Sequence, residues 1–282
     1  MNTTPSKHPG AKKSLGQNFL QDVNIAKKIV NALDITSEDR VIEIGPGPGA
    51  LTRHLIESSA KRLQLIEKDS YWAQFHAEKA QSSLIAVTPD LWAKSFYTDG
   101  ARLLVSEADA LSIPWHELAL PVKIIGNLPY NVASPLMWDI MSLSTGCKKA
   151  VFMIQKEVGE RLVALPRTSA YGALSVWIQS FCLPKMEFIV PPQVFHPRPK
   201  VHSAVVSFTP LVGSLTCDAA GLSQLLKVCF QARRKQLGNS LKQFSQAQHA
   251  LELAGILPTQ RPEELSPTDF HRLVDSLFPK KH

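Results

Sequence analysis

The segment RVIEIGPGPGALT, residues 40–52, decides the fold class. It opens with a short β-branched run, which predicts a strand, and this strand stops at three closely spaced glycines, Gly45, Gly47 and Gly49. The residues that follow Gly49 are predicted to begin a helix. A strand, a glycine turn and a helix form the first unit of an open α/β sheet, and such sheets bind ligands at the carboxyl ends of their strands. We therefore expect a ligand beside this turn.

The same alternation of strands and helices continues to about residue 210. Helices are expected from Asp22 and from Asp69, and several strand candidates are apolar on both faces, as in a buried parallel sheet. These further candidates span residues 63–67, 101–107, 122–127, 149–155, 185–191 and 203–208. The last two lack a long helix between them, which favours an antiparallel pair at one edge. The pattern predicts a doubly wound α/β sheet.

Three segments follow from the change of pattern along the chain. Residues 1–21 are polar and basic and predict an N-terminal arm, and residues 22–210 carry the α/β pattern. In the last segment, residues 211–282, the chain shows helical periodicity only from about residue 218 onward, as in Leu222, Leu225, Leu226 and Cys229 and then Leu237, Leu241 and Phe244. We predict a small all-helical C-terminal domain there.

Composition narrows the possible partners. The 282 residues carry a formal net charge of +7 with a pI near 9.2, which suits a polyanion. The four cysteines form no C-x-x-C pair and the nine histidines show no ligand spacing, so we expect reduced thiols and no metal. No apolar run is long enough for a membrane span, and the N-terminal residues show no h-region, so we expect neither a membrane span nor a signal peptide. We expect a cytoplasmic protein.

The glycine turn and the next strand together predict an adenosine-bearing cofactor. Glu67 ends that strand about 20 residues after the turn, where a carboxylate accepts the ribose hydroxyls. The glycines also satisfy the relaxed dinucleotide fingerprint, so an NAD-dependent oxidoreductase stays open. Glu43 places a carboxylate inside an apolar strand, where it would repel a pyrophosphate but attract the cationic groups of S-adenosylmethionine. Asp109 follows a later strand, where it could accept the adenine amine; the alternative is a plain cap of the following helix or turn.

The stretch NLPYN, residues 127–131, predicts chemistry on the amine of a base. An adenine or cytosine amine is a poor nucleophile because its lone pair is delocalised into the ring. The side-chain oxygen of Asn127, with a main-chain carbonyl held by the Leu128–Pro129 bend, can accept both amine hydrogens. Tyr130 offers a face for stacking the base. The alternative is a plain turn built from common turn residues.

Seven stretches together resemble the ribosomal RNA adenine dimethyltransferases, along nearly the whole chain and most closely the bacterial small-subunit branch. They are KKSLGQNFLQD (12–22), VIEIGPGPGALT (41–52), IEKD (66–69), DAL (109–111), NLPYN (127–131), FHPRPKVHSAVV (195–206) and FQARRKQLGNSL (230–241). The resemblance implies a Rossmann-like class I methyltransferase domain with an arm over the cofactor site. It also implies dimethylation of two adjacent adenosines in a hairpin loop near the 3′ end of 16S rRNA, a step in small-subunit maturation.

The resemblance assigns roles to named positions. It implies that Asn18 and Leu20 contact the cofactor, that Gly45 lies against its methionine part, and that Phe195 helps to shape the target pocket. The full cofactor set we expect is Asn18, Leu20, Glu43, Gly45, Gly47, Glu67, Lys68, Asp109, Ala110 and Asn127. The set expected at the target base is Asn127, Pro129, Tyr130 and Phe195.

Basic side chains predict contact with RNA. Residues 219–251 carry five basic residues and no acidic residue, which suits phosphate binding. The positions we expect to contact RNA are Arg198, Lys200, Arg233, Arg234, Lys235 and Lys242. Two departures from the family are visible: residues 87–100 form an insertion, and Gly238 stands where a larger, often basic residue is usual.

Three classes of function remain at this point. The favoured class is a base-amine methyltransferase whose partners are the small ribosomal subunit and its 16S rRNA, and which is monomeric when free. Large-subunit enzymes of antibiotic resistance share the first five motifs, and DNA adenine methyltransferases share the logic of the Asn-x-Pro-aromatic stretch. The second class is a ribosome assembly factor whose methylation is incidental. The third, an NAD-dependent oxidoreductase, is disfavoured because nothing after residue 127 suits hydride transfer.

Overall fold

An eight-stranded sheet carries the α/β part of the protein. The computed structural model describes residues 17–80, 84–86, 102–118, 120–144, 146–211, 218–231 and 235–279, with only the backbone of residues 84–86, 130, 131 and 143. The strands are β1 Phe19–Leu20, β2 Arg40–Ile44, β3 Arg62–Glu67, β4 Leu84–Ala86, β5 Leu103–Glu107, β6 Val122–Asn127, β7 Cys147–Gln155, β8 Cys182–Val190, β9 Phe195–His196 and β10 Ser203–Pro210.

Helices cover the sheet and form the C-terminal part. They are α1 Val23–Asn31, α2 Thr52–Glu57, α3 Ser70–Ala80, α4 Tyr130–Leu143, α5 Lys156–Leu162, α6 Ala173–Phe181, α7 Ala219–Gln231, α8 Leu237–Ser240, α9 Ala247–Ala254 and α10 Pro267–Leu277. As expected, Asp22 caps α1, because its Oδ1 accepts the main-chain N–H groups of Asn24 and Ile25. None of the helices in the described ranges is long and apolar enough to cross a bilayer.

The strand order is β4-β5-β3-β2-β6-β7-β10-β8. The first six strands in this order, β4, β5, β3, β2, β6 and β7, are mutually parallel. Strand β10 runs antiparallel to both of its neighbours, β7 and β8. The predicted doubly wound sheet with an antiparallel edge pair is confirmed. The order at this edge, with β10 between β7 and β8, was not predicted, and the short edge strand β4 was not expected from the sequence.

The order of strands reverses between β2 and β6, which places two loops side by side. In the register of this pair Ile44 lies opposite Gly126, so Gly45 and Asn127 leave the sheet as neighbours. A crevice at such a reversal is where open α/β sheets bind ligands. The helix expected near Gly49 begins later, at Thr52, because Gly47 and Gly49 adopt positive φ angles of 50° and 91°, which do not fit an α-helix.

The N-terminal segment pairs with a distant loop. Strand β1 runs antiparallel to β9, with Phe19 opposite His196 and Leu20 opposite Phe195. The N–H of Gln21 extends this pairing to the carbonyl of Val194 at 2.8 Å. The described end of the arm is thus attached to the segment that begins the stretch FHPRP, residues 195–199.

The C-terminal helices pack on the α/β part. Helices α7 and α10 contact α6, and Leu222 and Phe270 belong to the same buried apolar cluster as Val176 and Phe181. Helix α8 is shorter than the periodicity suggested: it ends at Ser240, and residues 241–245 form turns and a bend. The insertion at residues 87–100 and the cations Arg233 and Arg234 lie outside the described residues.

Candidate cofactor and base site

One cavity opens at the strand reversal. Its volume of about 190 Å³ far exceeds the roughly 10–15 Å³ that one ordered water needs, so it can accept an organic ligand. The predicted residues that line it are Asn18, Leu20, Glu43, Gly45, Gly47, Glu67, Lys68, Asp109, Ala110, Asn127, Pro129 and Phe195. Every position expected to hold the cofactor therefore lies at this cavity. Their roles remain predictions.

The glycine turn needs glycine for two reasons. Gly45 and Gly47 have φ angles of 66° and 50°, in the left-handed region that side chains disfavour. At Gly47 a Cβ atom would also lie 3.1 Å from the ring of Phe19. The arm thus packs directly on the turn, and the turn exposes its backbone to the cavity.

Glu67 holds the turn in place from the end of β3. Its carboxylate accepts the N–H of Gly47 at 2.9 Å and the N–H of Asp69 at 2.8 Å. Burial raises the pKa of Glu67, and these two hydrogen bonds oppose the rise. Because each carboxylate oxygen has two lone pairs, Glu67 keeps acceptor capacity for a ligand in the cavity.

Glu43 is a buried carboxyl group in the cavity wall. Its side chain is 2% exposed, and Oε2 accepts the hydroxyl of Thr52 at 2.7 Å. Burial raises the pKa of Glu43 to about 8, the Thr52 hydrogen bond opposes this, and the nearby charge of Glu67 adds to it. A group with this pKa becomes anionic readily when a cationic ligand enters the cavity.

An ion pair crosses one side of the cavity. Lys68 Nζ lies 2.6 Å from Asp109 Oδ2, and Asp109 Oδ1 accepts the N–H of Leu111 at 3.0 Å. Partial burial raises the pKa of Asp109, but the bonds from Lys68 and Leu111 outweigh it and hold this pKa below its usual value. Asp109 is therefore an ionised acceptor, and Lys68 already occupies one of its oxygens.

Asn127 has a defined orientation. Its Nδ2 donates to the main-chain oxygen of Asn18 at 3.0 Å. Since a carbonyl oxygen only accepts, the amide nitrogen faces the arm and the amide oxygen is the remaining acceptor. Asn127 thus ends β6 at the cavity beside the glycine turn, the arrangement expected from the sequence.

Apolar residues complete the wall next to Asn127. Phe195 is 5% exposed and packs in one cluster with Leu20, its partner across β1 and β9. Pro129 lines the cavity just before α4 begins at Tyr130. The backbone of Tyr130 therefore directly follows a residue of the cavity wall; the structure describes only the backbone of Tyr130.

The predicted RNA contacts lie elsewhere on the surface. Arg198 and Lys200 are exposed, close in sequence to Phe195, and do not line the cavity. Lys235 and Lys242 are exposed in the helical part. Within the described ranges no ion pair involves these four cations, and no three potential metal-ligating side chains gather together.

Two supporting residues were not predicted from the sequence. Thr52 bonds Glu43, and His76 on α3 lies with Nε2 2.8 Å from the oxygen of Gly47. Thr52 is the last residue of the quoted glycine segment, so a search for hydroxyls near the buried Glu43 could have found it. His76 has no local motif, since only the packing of α3 brings it to the turn.

The chain matches known proteins over nearly its full length. The family model described as "Ribosomal RNA adenine dimethylase" matches residues 9–278. A protein of Oleidesulfovibrio alaskensis named "Ribosomal RNA small subunit methyltransferase A" is 52% identical over 95% of this chain and 92% of its own. A protein of Lawsonia intracellularis with the same name is 42% identical over 96% and 97%.

Solved structures agree with this comparison. A dimethyladenosine transferase from Plasmodium falciparum has a TM-score of 0.71 at 27% identity, covering 90% of this chain and 95% of its own. A 23S rRNA methyltransferase named ErmE has a TM-score of 0.64 at 24% identity, over 92% and 99%. The second likeness concerns the fold alone.

Proposed function

The chain belongs to the ribosomal RNA adenine dimethylase family, and from this premise we infer that it methylates the exocyclic amines of adenosines in small-subunit rRNA. It is an S-adenosylmethionine-dependent rRNA (adenine-N6,N6)-dimethyltransferase. The single observation that carries this function is the meeting of Asn127 with the glycine turn and Glu67 in one cavity. An acceptor for a base amine and a cofactor site thus share one space.

The proposed substrate is 16S rRNA in the small ribosomal subunit. We propose two adjacent adenosines in the hairpin loop near its 3′ end as the targets, modified during subunit maturation in the cytoplasm by a monomer. A base in a duplex hides its amine, whereas a loop presents unstacked bases. The names of the relatives, which specify the small subunit, support this assignment over the large subunit.

The polar groups that line the cavity suit S-adenosylmethionine. When bound, this cofactor supplies a methyl group made electrophilic by its sulfonium. Glu67 is suited to the ribose hydroxyls and Asp109 to the adenine amine, while Gly45, Gly47, Asn18 and Leu20 shape the walls. Glu43 provides a carboxyl group that ionises beside a cation, with its pKa of about 8. Lys68 and Ala110 border the adenine end of this arrangement.

The chain's own residues would act on the target base. The oxygen of Asn127 accepts one amine hydrogen, and the main-chain oxygen preceding Pro129 accepts the second. These two acceptors favour a tetrahedral nitrogen whose lone pair is free to attack. Tyr130 stacks on the base and Phe195 shapes its pocket from the β9 side. The amide of Asn127 stays oriented because Asn18 accepts from its nitrogen.

The proposed RNA surface extends from the target loop to the helical part. Arg198 and Lys200 would neutralise phosphates next to the target, and the helical unit, residues 211–282, would bind the surrounding RNA through Arg233, Arg234, Lys235 and Lys242. The division into an arm of residues 1–21, a methyltransferase domain of residues 22–210 and this helical unit is part of the proposal. Contacts of this kind position RNA without reading its sequence.

The test is methyl transfer from labelled S-adenosylmethionine to small subunits that lack the modification. Mapping should find label on two adjacent adenosines near the 3′ end of 16S rRNA, and Asn127→Ala should lose nearly all of it. A protein that only assists assembly would bind the subunits without transferring label. An oxidoreductase would bind NAD in preference to S-adenosylmethionine, which a direct binding comparison detects.

A further inference from the structure

His76 is a buried histidine beside the glycine turn that the proposed reaction does not use. It lies on α3, is 5% exposed, and places Nε2 2.8 Å from the main-chain oxygen of Gly47. A carbonyl oxygen only accepts, so Nε2 carries the hydrogen and donates it. Burial, with a contribution from the charge of Lys79, lowers the pKa of His76, and the hydrogen bond to Gly47 opposes this but does not outweigh it. The pKa therefore lies below the ordinary histidine value, and the ring is neutral at pH 7.

The bond from His76 completes a grip on one peptide unit. The N–H of Gly47 is held by Glu67 at 2.9 Å, and its carbonyl is held by His76. The ring of His76 also lies close to Gly49, where a Cβ atom would come within 3.0 Å of Cε1. Glycine adopts the positive φ values of this turn without strain but permits many other conformations, so these hydrogen bonds hold the Gly47 peptide in one of them.

Helix α3 supports the cavity at a second point. Trp72, one turn before His76, packs edge-on against Phe19 with the ring centroids 5.8 Å apart. The ring of Phe19 in turn fills the space where Gly47 lacks a side chain. One helix thus contacts both the arm and the turn, through side chains four residues apart that lie on the same face.

We propose that His76 is a positioning residue for the cofactor site, which fixes the Gly47 peptide and through it the Glu67 carboxylate. His76 is not among the cavity-lining residues, so it acts through Gly47 and not on the ligand itself. The inference rests on the proposed function, because it assigns Glu67 to the ribose. It predicts that loss of the hydrogen bond from His76 to Gly47 weakens the binding of every ligand that carries the adenosine part.

The first measurement uses the wild-type protein. Nitrogen-15 NMR of labelled histidine should find the His76 ring neutral near pH 7, with its proton on Nε2. A proton on Nδ1 instead would overturn the proposal, because Nε2 could not then donate to Gly47. This result does not depend on any variant folding.

The second measurement compares His76→Phe, which keeps a ring but has no donor, with His76→Gln, whose amide can donate. Calorimetry should give Kd values for S-adenosylmethionine and S-adenosylhomocysteine that rise together by about 10-fold or more in His76→Phe. At saturating cofactor kcat should change by less than about 3-fold. His76→Gln should recover most of the affinity, and the exposed Gln74→Ala on the same helix should match the wild type.

Several outcomes would overturn the positioning role. They are unchanged affinity in His76→Phe, equal losses in the Phe and Gln variants, or a loss of kcat with unchanged Kd. A wild-type protein that fails to bind S-adenosylmethionine would instead contradict the proposed function. The two failures are therefore distinguishable.

Discussion

Asn127 donates its side-chain nitrogen to the main-chain oxygen of Asn18, 3.0 Å away and 109 residues earlier in the chain. The bond joins the end of the central strand β6 to the N-terminal arm. It fixes which end of the amide faces the cavity, since only nitrogen can donate to a carbonyl. The arm therefore contributes to the geometry at the proposed reacting amine as well as to the cavity wall.

Replacement of Asn127 by alanine should strongly reduce methyl transfer and largely retain cofactor binding. The variant loses one acceptor for the amine hydrogens, which we expect to lower kcat by about 10²–10³-fold, as for one donor of an oxyanion hole. Kd for S-adenosylmethionine should change by less than about 5-fold. Methyl transfer and calorimetry on the same preparation measure both quantities. Methylation retained at the wild-type rate would refute the role given to Asn127.

Replacement of Glu67 by glutamine should weaken the binding of the cofactor. The N–H groups of Gly47 and Asp69 bond different oxygens of Glu67, and in glutamine one of these oxygens becomes an NH2 group that cannot accept. The variant also offers the ribose hydroxyls a neutral acceptor in place of a charged one, and because a hydrogen bond to a charged group is worth about 1.5–3 kcal/mol, Kd for S-adenosylmethionine should rise by about 10- to 150-fold. Calorimetry tests this, with the exposed Glu57→Gln as the matched control. Equal affinity in both variants would contradict the assignment.

Glu43 should make stability depend on pH. Its pKa rises from 4.5 to about 8 on folding, so between these values the folded state holds a proton that the unfolded state has lost. The free energy of unfolding then falls as pH rises, by up to about 1.4 kcal/mol per pH unit. Glu43→Gln should lack this decline, and urea unfolding from pH 5.5 to 7.5 measures the difference from wild type. The exposed Glu38→Gln should keep the decline; parallel curves for wild type and Glu43→Gln would contradict it.

The sequence predicted the parts of the site that depend on local chemistry. Gly45, Gly47 and Glu67 were identifiable because a strand, a glycine turn and a second strand with a terminal acid occur in order, and parallel strands bring their ends to one edge. Asn127 follows the strand beside β2 for the same reason. The antiparallel edge was predicted from the missing helix between two strands.

Long-range packing set the rest. The position of β10 between β7 and β8 was not predicted: residues 203–208 of β10 are all buried, as suits an interior strand, whereas most of β8 is partly or fully exposed at the edge. His76 reaches Gly47 only because α3 packs against β5 and β3 with one particular face inward. The start of α2 at Thr52 was missed because the left-handed glycines extend the turn beyond Gly49.

Removal of the Lys68 charge should weaken cofactor binding modestly. Lys68 lines the cavity and orients Asp109, the proposed acceptor of the adenine amine, and its side chain is 59% exposed, so the pair is worth at most about 1 kcal/mol. Lys68→Met should raise Kd for S-adenosylmethionine by about 2- to 5-fold in low salt, and calorimetry at several salt concentrations should show that this difference shrinks as salt rises. Asp109→Ala should weaken binding as well. Unchanged or tighter binding in Lys68→Met would contradict the place of Lys68 among the residues that hold the cofactor.

Replacement of Arg198 and Lys200 should weaken RNA binding without affecting the cofactor. Both cations are exposed beside the segment that carries Phe195 and lie outside the cavity. If each neutralises a phosphate, the double alanine variant should reduce the slope of log K against log salt by about 1 to 2. Binding of a 16S hairpin RNA at several salt concentrations measures the slope, and calorimetry checks the cofactor.

The matched control for this prediction is Lys61→Ala. Lys61 is a cation already paired with Glu38 at 3.2 Å, and it precedes β3 at the amino end of the sheet, opposite the cavity. Its removal should leave the salt slope at the wild-type value, because a phosphate there would have to displace a carboxylate. Equal slopes for the double variant and Lys61→Ala would show that the basic residues near Phe195 contribute only through the net charge of the chain, and the RNA would then approach the cavity from another side.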